Sequence, residues 1–385
     1  MKIAMVSGRY HPYVGGIETV VRQMSEGLVR KGLEVDVLTQ DRLQKYPRME
    51  IINGVAVRRF KTGPLGWDFS DSGCTLRGFL RSRADEYDLI HAHGYHCFSP
   101  LYAAWAKGRS RLVVNTHYHG IGHNLLMTIL LQPYHYIGKT IFEKADAVVC
   151  VSETEKRRIA RDFTMPADKL SIVPNGVNYD SIAEAIPFPH QGKLLLCVSR
   201  LEKFKNIHLA IKALPHLPDE YKLMIVGSGP YKSKLLQLIE KLQLGGRAQI
   251  LSGLSDQEVY RWYKTSDLVL NLSSQEAFGM TVIEGLAAGK PVLVNDRMAL
   301  TELATKLDGV RAIDAEKLPA EALAREMAQT CGIVVNKLSL AEYAQDSITE
   351  RVRALYERVS GNRRAAGDEA WTPVPAARTI EGVQV

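Results

Sequence analysis

Paired cysteines, long apolar runs and a complete dinucleotide fingerprint are all missing from this chain, and each absence removes a class of protein. The five cysteines, Cys74, Cys97, Cys150, Cys197 and Cys331, are scattered and form no Cys-x-x-Cys pair. A disulfide scaffold is therefore excluded, and a reducing cytoplasm is the expected location. No apolar run reaches the length of a membrane span. The opening Met1-Lys-Ile-Ala-Met-Val-Ser7 reads directly as a strand rather than as a secretory signal. Gly227-Ser228-Gly229-Pro230 starts like a Rossmann fingerprint but lacks the third glycine and the downstream acid. NAD is thereby disfavoured. Histidines cluster as His91, His93, His96 and as His117, His119, His123, yet neither group has a standard zinc spacing. No metal and no other cofactor is expected.

What is present fits two α/β domains. A chain of 385 residues is long enough for both, and 46% hydrophobic with 24% charged residues is the balance of a globular protein. The net charge of +7 is concentrated in residues 42–83, where nine basic side chains (Arg42, Lys45, Arg48, Arg58, Arg59, Lys61, Arg77, Arg81, Arg83) face three acids. A solvated surface is one reading. The other is a patch for an anionic acceptor or for membrane headgroups, giving peripheral association with the inner face of a membrane. No nucleic-acid module is recognisable, so nucleic acid is not expected as a partner.

Strand and helix signals alternate from the start. Ile3–Val6, Val35–Leu38, Val55–Arg59, Leu89–His91, Leu112–Asn115 and Ala147–Val151 read as strands, with a helix over Ile17 to Lys31. A second series follows: Leu194–Val198, Leu223–Val226, Gln249–Leu251, Leu268–Leu272 and Val292–Val294. Such alternation implies parallel, doubly wound sheets whose ligands sit beyond the carboxyl ends of the strands. The stretch Ile186-Pro-Phe-Pro-His-Gln-Gly192 is a natural linker. Expected units are residues 1–187, 188–338, a last helix over 339–359, and a disordered tail over 360–385.

The most informative stretch runs from Ser273 to Pro291. The strand before it ends in a polar loop, and a helix is expected from Phe278, with Met280, Ile283, Leu286 and Ala287 on one face. Its N-terminus is a natural seat for phosphate, framed by Glu276 and Glu284, which suit sugar hydroxyls. Arg200 and Lys205 fall on another strand-to-helix loop, where an anion would lie. Gly15-Gly16-Ile17-Glu18 opens the first helix, where glycine lets backbone approach a ligand. Ser152 precedes Glu153 and Glu155 and reads as a helix cap rather than a nucleophile.

From Met1 to about Val359 the chain resembles the retaining glycosyltransferases of family 4. The residues that carry the resemblance are Glu276-Ala-Phe-Gly-Met-Thr-Val-Ile-Glu284, a Glu-x7-Glu motif, supported by Gly15-Gly16-x-Glu18, Val173-Pro-Asn-Gly-Val177, Ser199-Arg-Leu-x-x-x-Lys205, Val226-Gly-Ser-Gly-Pro230 and Gly285-Leu-Ala-Ala-Gly-Lys-Pro291. The resemblance implies the GT-B fold, two facing Rossmann-like domains with a cleft between them. It also implies transfer of a sugar from a UDP- or GDP-linked donor to a cell-envelope, glycolipid or natural-product hydroxyl, without a metal. Under it, Glu284 would bind ribose hydroxyls, Glu276 a hydroxyl of the transferred sugar, and Arg200 and Lys205 the diphosphate. Gly16, Gly227, Gly229, Phe278, Gly279, Met280 and Thr281 would line the donor. His117 would contact the donor sugar from the opposite domain, with His119 as second choice, and Gly15 and Glu18 would lie on the acceptor side. One departure stands out: Arg297-Met-Ala-Leu-Thr-Glu302 replaces the glycine pair that often precedes this glutamate in the family. A nucleotide-sugar epimerase of the same fold and a non-catalytic nucleotide-sugar-binding protein are the alternatives. The intact Glu276, Arg200 and Lys205 weigh against the second.

Overall fold

The computed structural model describes residues 1–13, 15–63, 73–118, 120, 132–335 and 337–361. The first sheet has eight strands: β1 (Lys2–Ser7), β2 (Glu34–Gln40), β3 (Met49–Ile52), β4 (Val55–Phe60), β5 (Leu89–His93), β6 (Arg111–Asn115), β7 (Ala147–Cys150) and β8 (Leu170–Ile172). Their order is β3-β4-β2-β1-β5-β6-β7-β8, parallel throughout except for the β3–β4 hairpin. Helices α1 (Gly16–Arg30), α2 (Leu76–Arg83), α3 (Ser99–Ala106), α4 (Gln132–Lys144) and α5 (Glu153–Phe163) flank it.

The second sheet has six parallel strands in the order β11-β10-β9-β12-β13-β14. These are β9 (Lys193–Val198), β10 (Tyr221–Val226), β11 (Ala248–Leu251), β12 (Leu268–Asn271), β13 (Val292–Asn295) and β14 (Val310–Ile313). Around it lie α6 (Tyr179–Ala183), α7 (Ile207–Ala213), α8 (Lys232–Lys241), α9 (Asp256–Thr265), α10 (Met280–Ala287), α11 (Ala299–Lys306) and α12 (Ala320–Thr330). The central strands are buried on both faces, which is why they read as continuous apolar runs. The direction of winding reverses at β1/β5 and at β9/β12, so each sheet offers a crevice at those carboxyl ends.

Three strands go beyond the sequence reading, namely β3, β8 and β14. All are short edge or near-edge strands with few fully buried residues, so the apolar signal is weak. The β3–β4 turn is Asn53-Gly54, both at positive φ (49° and 81°), the pairing a tight hairpin requires.

The chain passes to the second sheet earlier than residue 187. Ile182 of α6 lies in that sheet's core, and Asn178 donates to the Tyr260 hydroxyl at 3.0 Å. The last helix, α13 (Gln345–Val359), starts six residues later than expected, because a 3₁₀ segment occupies Lys337–Tyr343. Its Ile348, Val352, Leu355 and Tyr356 share one face and pack with Val20, Val21, Met24 and Leu28 of α1. The chain thus returns to the first sheet. Of residues 360–385, expected as a disordered tail, 362–385 lie outside the described residues.

Arg59 does not belong to the surface patch anticipated over residues 42–83. Its side chain is 2% exposed and pairs with Glu50, while donating to the carbonyls of Pro47 (3.1 Å) and His11 (2.8 Å). It pins the loop after β1 to the β2–β3 connection. Arg42, Lys45, Arg48 and Lys61 are exposed. Among the described residues no helix is long and apolar enough to cross a membrane.

Candidate active site at the ends of two sheets

The loop leaving β12 is stitched to the loop leaving β9. Asn206, at φ 55°, donates its side-chain amide to Leu272 O at 3.1 Å, and Ser274 N donates to Phe204 O at 2.9 Å. This stitching brings Lys205 against Glu276, where the ammonium and carboxylate form an ion pair. Both side chains are largely enclosed, 13% and 19% exposed, and the Lys205 ammonium also lies 5.4 Å from the Phe204 ring. Ser199, Lys205 and Asn271 line a small cavity at the ends of these two strands. Arg200, two residues beyond β9, is exposed and its guanidinium has no partner among the described residues.

Helix α10 begins at Met280, two residues later than the expected Phe278, because Gly279 takes a left-handed φ of 103° as its N-cap. A Cβ there would sit 2.9 Å from Leu300, so the position needs glycine for both conformation and space. Phe278 is buried in the second sheet's core. Thr281 accepts from the Asn271 side chain at 2.8 Å. One turn into the helix, the partly buried Glu284 accepts from the Tyr263 hydroxyl at 2.7 Å. Burial raises its carboxyl above the usual range, Tyr263 pulls it back down, and Asp256 adds to the rise. Met280 packs against the cores of both sheets, so the start of α10 abuts the first unit. A second tie is the Arg22–Asp256 ion pair at 2.5 Å, which joins α1 to α9.

Gly227 and Gly229 are explained by packing: a Cβ would lie 1.8 Å from Ser199 O at the first and 2.5 Å from Leu201 O at the second. Their glycine identity lets the loop after β10 lie on the loop after β9. On the first unit, a Cβ at Gly15 would overlap the Glu18 carboxylate at 2.3 Å, whereas one at Gly16 would meet nothing within 4 Å. Gly16 therefore leaves open room at the N-terminus of α1.

His91, His93 and His117 form a buried column, with ring centroids 4.2 Å and 5.8 Å apart. His91 Nδ1 shares a 2.6 Å hydrogen bond with the Tyr356 hydroxyl of α13. Burial, with a smaller push from His117, lowers the pKa of His91 to about 3; burial alone takes His117 to about 4. The column is neutral. His117 Nε2 and both His93 ring nitrogens are buried without a partner among the described residues. His119 lies outside the described residues. Among the described residues no three His, Cys, Asp or Glu side chains are grouped to hold a metal.

Ser152 caps α5 as expected, accepting from Glu155 N at 3.1 Å. Glu155 itself is the residue sequence reasoning missed. Its buried carboxylate accepts from Thr116 Oγ1 (2.6 Å), from Tyr118 N and from Val151 N (2.6 Å), and so clamps both neighbours of His117. Burial pushes its carboxyl up to about 7 against the pull of these three donors. The Ser-x-x-Glu spacing was a signal for a reciprocal cap. In the folded chain the glutamate instead serves the neighbouring strand ends.

The family models described as Glycosyltransferase Family 4 and Glycosyl transferases group 1 match residues 14–181 and 178–331. The chain is similar to an uncharacterized glycosyltransferase of Methanocaldococcus jannaschii, 30% identical over 325 residues, covering 79% of this chain and 82% of that one. It is also similar to the alpha-monoglucosyldiacylglycerol synthase of Streptococcus pneumoniae, 25% identical over 330 residues, 79% and 73% covered. In fold it resembles the crystal structure of Anabaena HepE in complex with UDP, with a TM-score of 0.74, 20% identity, and 93% of this chain and 100% of that one covered.

Proposed function

This chain belongs to the family 4-like glycosyltransferases of GT-B fold, and within that family we propose that it moves a sugar from a UDP-linked donor to a glycolipid or other cell-envelope hydroxyl with retention of configuration. The observation that carries this reading is the Lys205–Glu276 pair joining the ends of β9 and β12, with Glu284 eight residues further along, one turn into α10. Lys205, the exposed Arg200 and the amides at the start of α10 meet the negative charge that grows on the departing diphosphate. Groups fixed in place before the reaction lower that barrier without reorganising. Glu276 takes a sugar hydroxyl as Lys205 turns to phosphate, and Glu284 takes the ribose. His117, kept neutral by burial, offers a ring nitrogen to the donor sugar from the first unit. No metal enters this scheme, and no side chain is assigned as a covalent nucleophile.

The solved HepE structure contains UDP, which favours uridine over guanosine for the donor. The pneumococcal relative is named for a glucosyldiacylglycerol product, which favours a lipid acceptor. Exposed Arg42, Lys45 and Arg48 would then meet anionic headgroups at the inner membrane face. The test is turnover of UDP-sugars by Lys205→Ala and Glu276→Ala. Each should lose at least a hundredfold in kcat while remaining folded at the assay temperature. Near-normal turnover by either variant removes the site assignment.

A further inference from the structure

Every charged group assigned above to the donor belongs to the second unit, whereas His117 belongs to the first. Something must hold the two in register, and the first turn of α5 touches all the relevant parts. Glu302, on α11 of the second unit, reaches across to it. Its carboxylate accepts from Glu153 N at 3.1 Å, from Thr154 N at 2.8 Å and from Thr154 Oγ1 at 2.9 Å. Ser152 fills the third free amide by accepting from Glu155 N. The opening amides of α5 are thus satisfied by one residue of its own unit and one of the other, at the positive end of the helix dipole. Burial opposes the Glu302 charge, but Lys306 at 2.7 Å and the two amides hold its carboxyl below the usual range.

The same turn reaches the site in both directions. Ser152 Oγ donates to Ala277 O at 2.8 Å, the carbonyl next to Glu276. Glu155 clamps Thr116 and Tyr118 on either side of His117. We infer that Glu302 and Thr154 are positioning residues: by capping α5 across the interface they set His117 of one unit against Glu276 of the other. The inference rests on the proposed roles of His117 and Glu276, and it gives the departing Arg297–Glu302 loop a use other than touching the donor. Arg297 is itself tied down by Asp314 at 2.9 Å.

Amide hydrogen exchange tests this without any substrate. In Glu302→Ala, exchange should quicken at least tenfold at Glu153 and Thr154, and also at Val151 and Tyr118, whose amides bond to Glu155. Thr154→Val should do the same to a lesser degree, and Thr154→Ser should restore protection. If Glu153 and Thr154 quicken while Val151 and Tyr118 stay as in the wild type, the turn transmits nothing and the inference fails. A kinetic arm uses UDP and UDP-glucose. Both disruptive variants should bind UDP within twofold of the wild type and lose at least tenfold in kcat. A loss in UDP affinity as large as the loss in kcat overturns the positioning role. A wild-type protein that turns over no UDP-linked sugar overturns the proposed donor, and the exchange result then judges the positioning role alone.

Discussion

Removing one oxygen atom tests the electrostatics around Glu284. Tyr263 is wholly buried, its ring packs in the second sheet's core, and its hydroxyl donates to Glu284 at 2.7 Å. Tyr263→Phe keeps the packing and deletes that bond. A hydrogen bond to a charged group contributes about 1.5–3 kcal/mol, and one between neutral groups about 0.5–1.5 kcal/mol. The cost of the substitution therefore depends on whether Glu284 is ionised. Burial already places its folded pKa above the ordinary 4.5, so the folded state favours the neutral carboxyl. The stability from this group is complete below the unfolded value and is lost as pH rises through the folded one. Tyr263 opposes that loss by holding the charged form. Without it the folded pKa climbs further, and the variant should be destabilised by about 1 kcal/mol more at pH 8 than at pH 4.5. Urea unfolding of both proteins across that range measures the difference. A destabilisation that does not change with pH would refute the reasoning, because it would mean that the hydroxyl does not sense the charge on Glu284.

Two further outcomes follow from other buried charges and rings. His91 and His117 have folded pKa values of about 3 and about 4, and His93 lies well below its ordinary 6.5. As pH falls below 6.5 the unfolded chain takes these protons first, so stability is lost by about 1.4 kcal/mol per pH unit for each histidine. His91→Gln should flatten the acid limb of stability between pH 6 and pH 5 by that amount in urea titrations; an unchanged limb means His91 does not contribute. Arg59→Leu leaves the Glu50 carboxylate and the carbonyls of His11 and Pro47 without their buried donor. It should cost about 3–5 kcal/mol in unfolding free energy, and a loss below about 1 kcal/mol would return Arg59 to the surface patch.

The parts legible in the sequence are those that depend on local pattern. Central strands declare themselves as apolar runs because both faces are buried, and the Ser273–Pro291 stretch shows strand, loop and helix in order. Short edge strands such as β3 hide, since Met49 and Ile51 are exposed and Glu50 serves Arg59. Arg59 was misplaced for a related reason. Its charge was visible in the sequence, but its acceptors are the carbonyls of His11 and Pro47, forty-eight and twelve residues away. Glu155 and Glu302 were illegible on the same ground. A carboxylate whose partners are backbone amides of another segment leaves no residue-type signature, because every amino acid except proline offers the same donor. Glu276 and Lys205, seventy-one positions apart, were legible as members of motifs; their contact was not.

The distribution of charge between the two units has a physical consequence. The second unit carries Arg200, Lys205, Glu276 and Glu284, and in the free protein it keeps its least exposed opposite charges matched, Lys205 against Glu276. Such matching matters because an enclosed charge without a partner costs several kcal/mol. Apart from Arg22, which is already paired with Asp256, what the first unit brings to the proposed donor site is uncharged: an open glycine at the start of α1 and a column of neutral histidines. A neutral wall attracts the donor's phosphates weakly. Under the proposed function, capture of the nucleotide would be the work of the second unit, and the first would act chiefly by closing against it, excluding water and presenting the acceptor. Neutral groups of this kind gain their effect from placement to within a few tenths of an ångström rather than from long-range attraction. If the inferred positioning role holds, the contacts that fix placement, Glu302 to the start of α5 and Ser152 to Ala277, belong to the chemistry as much as the residues that would touch the substrate.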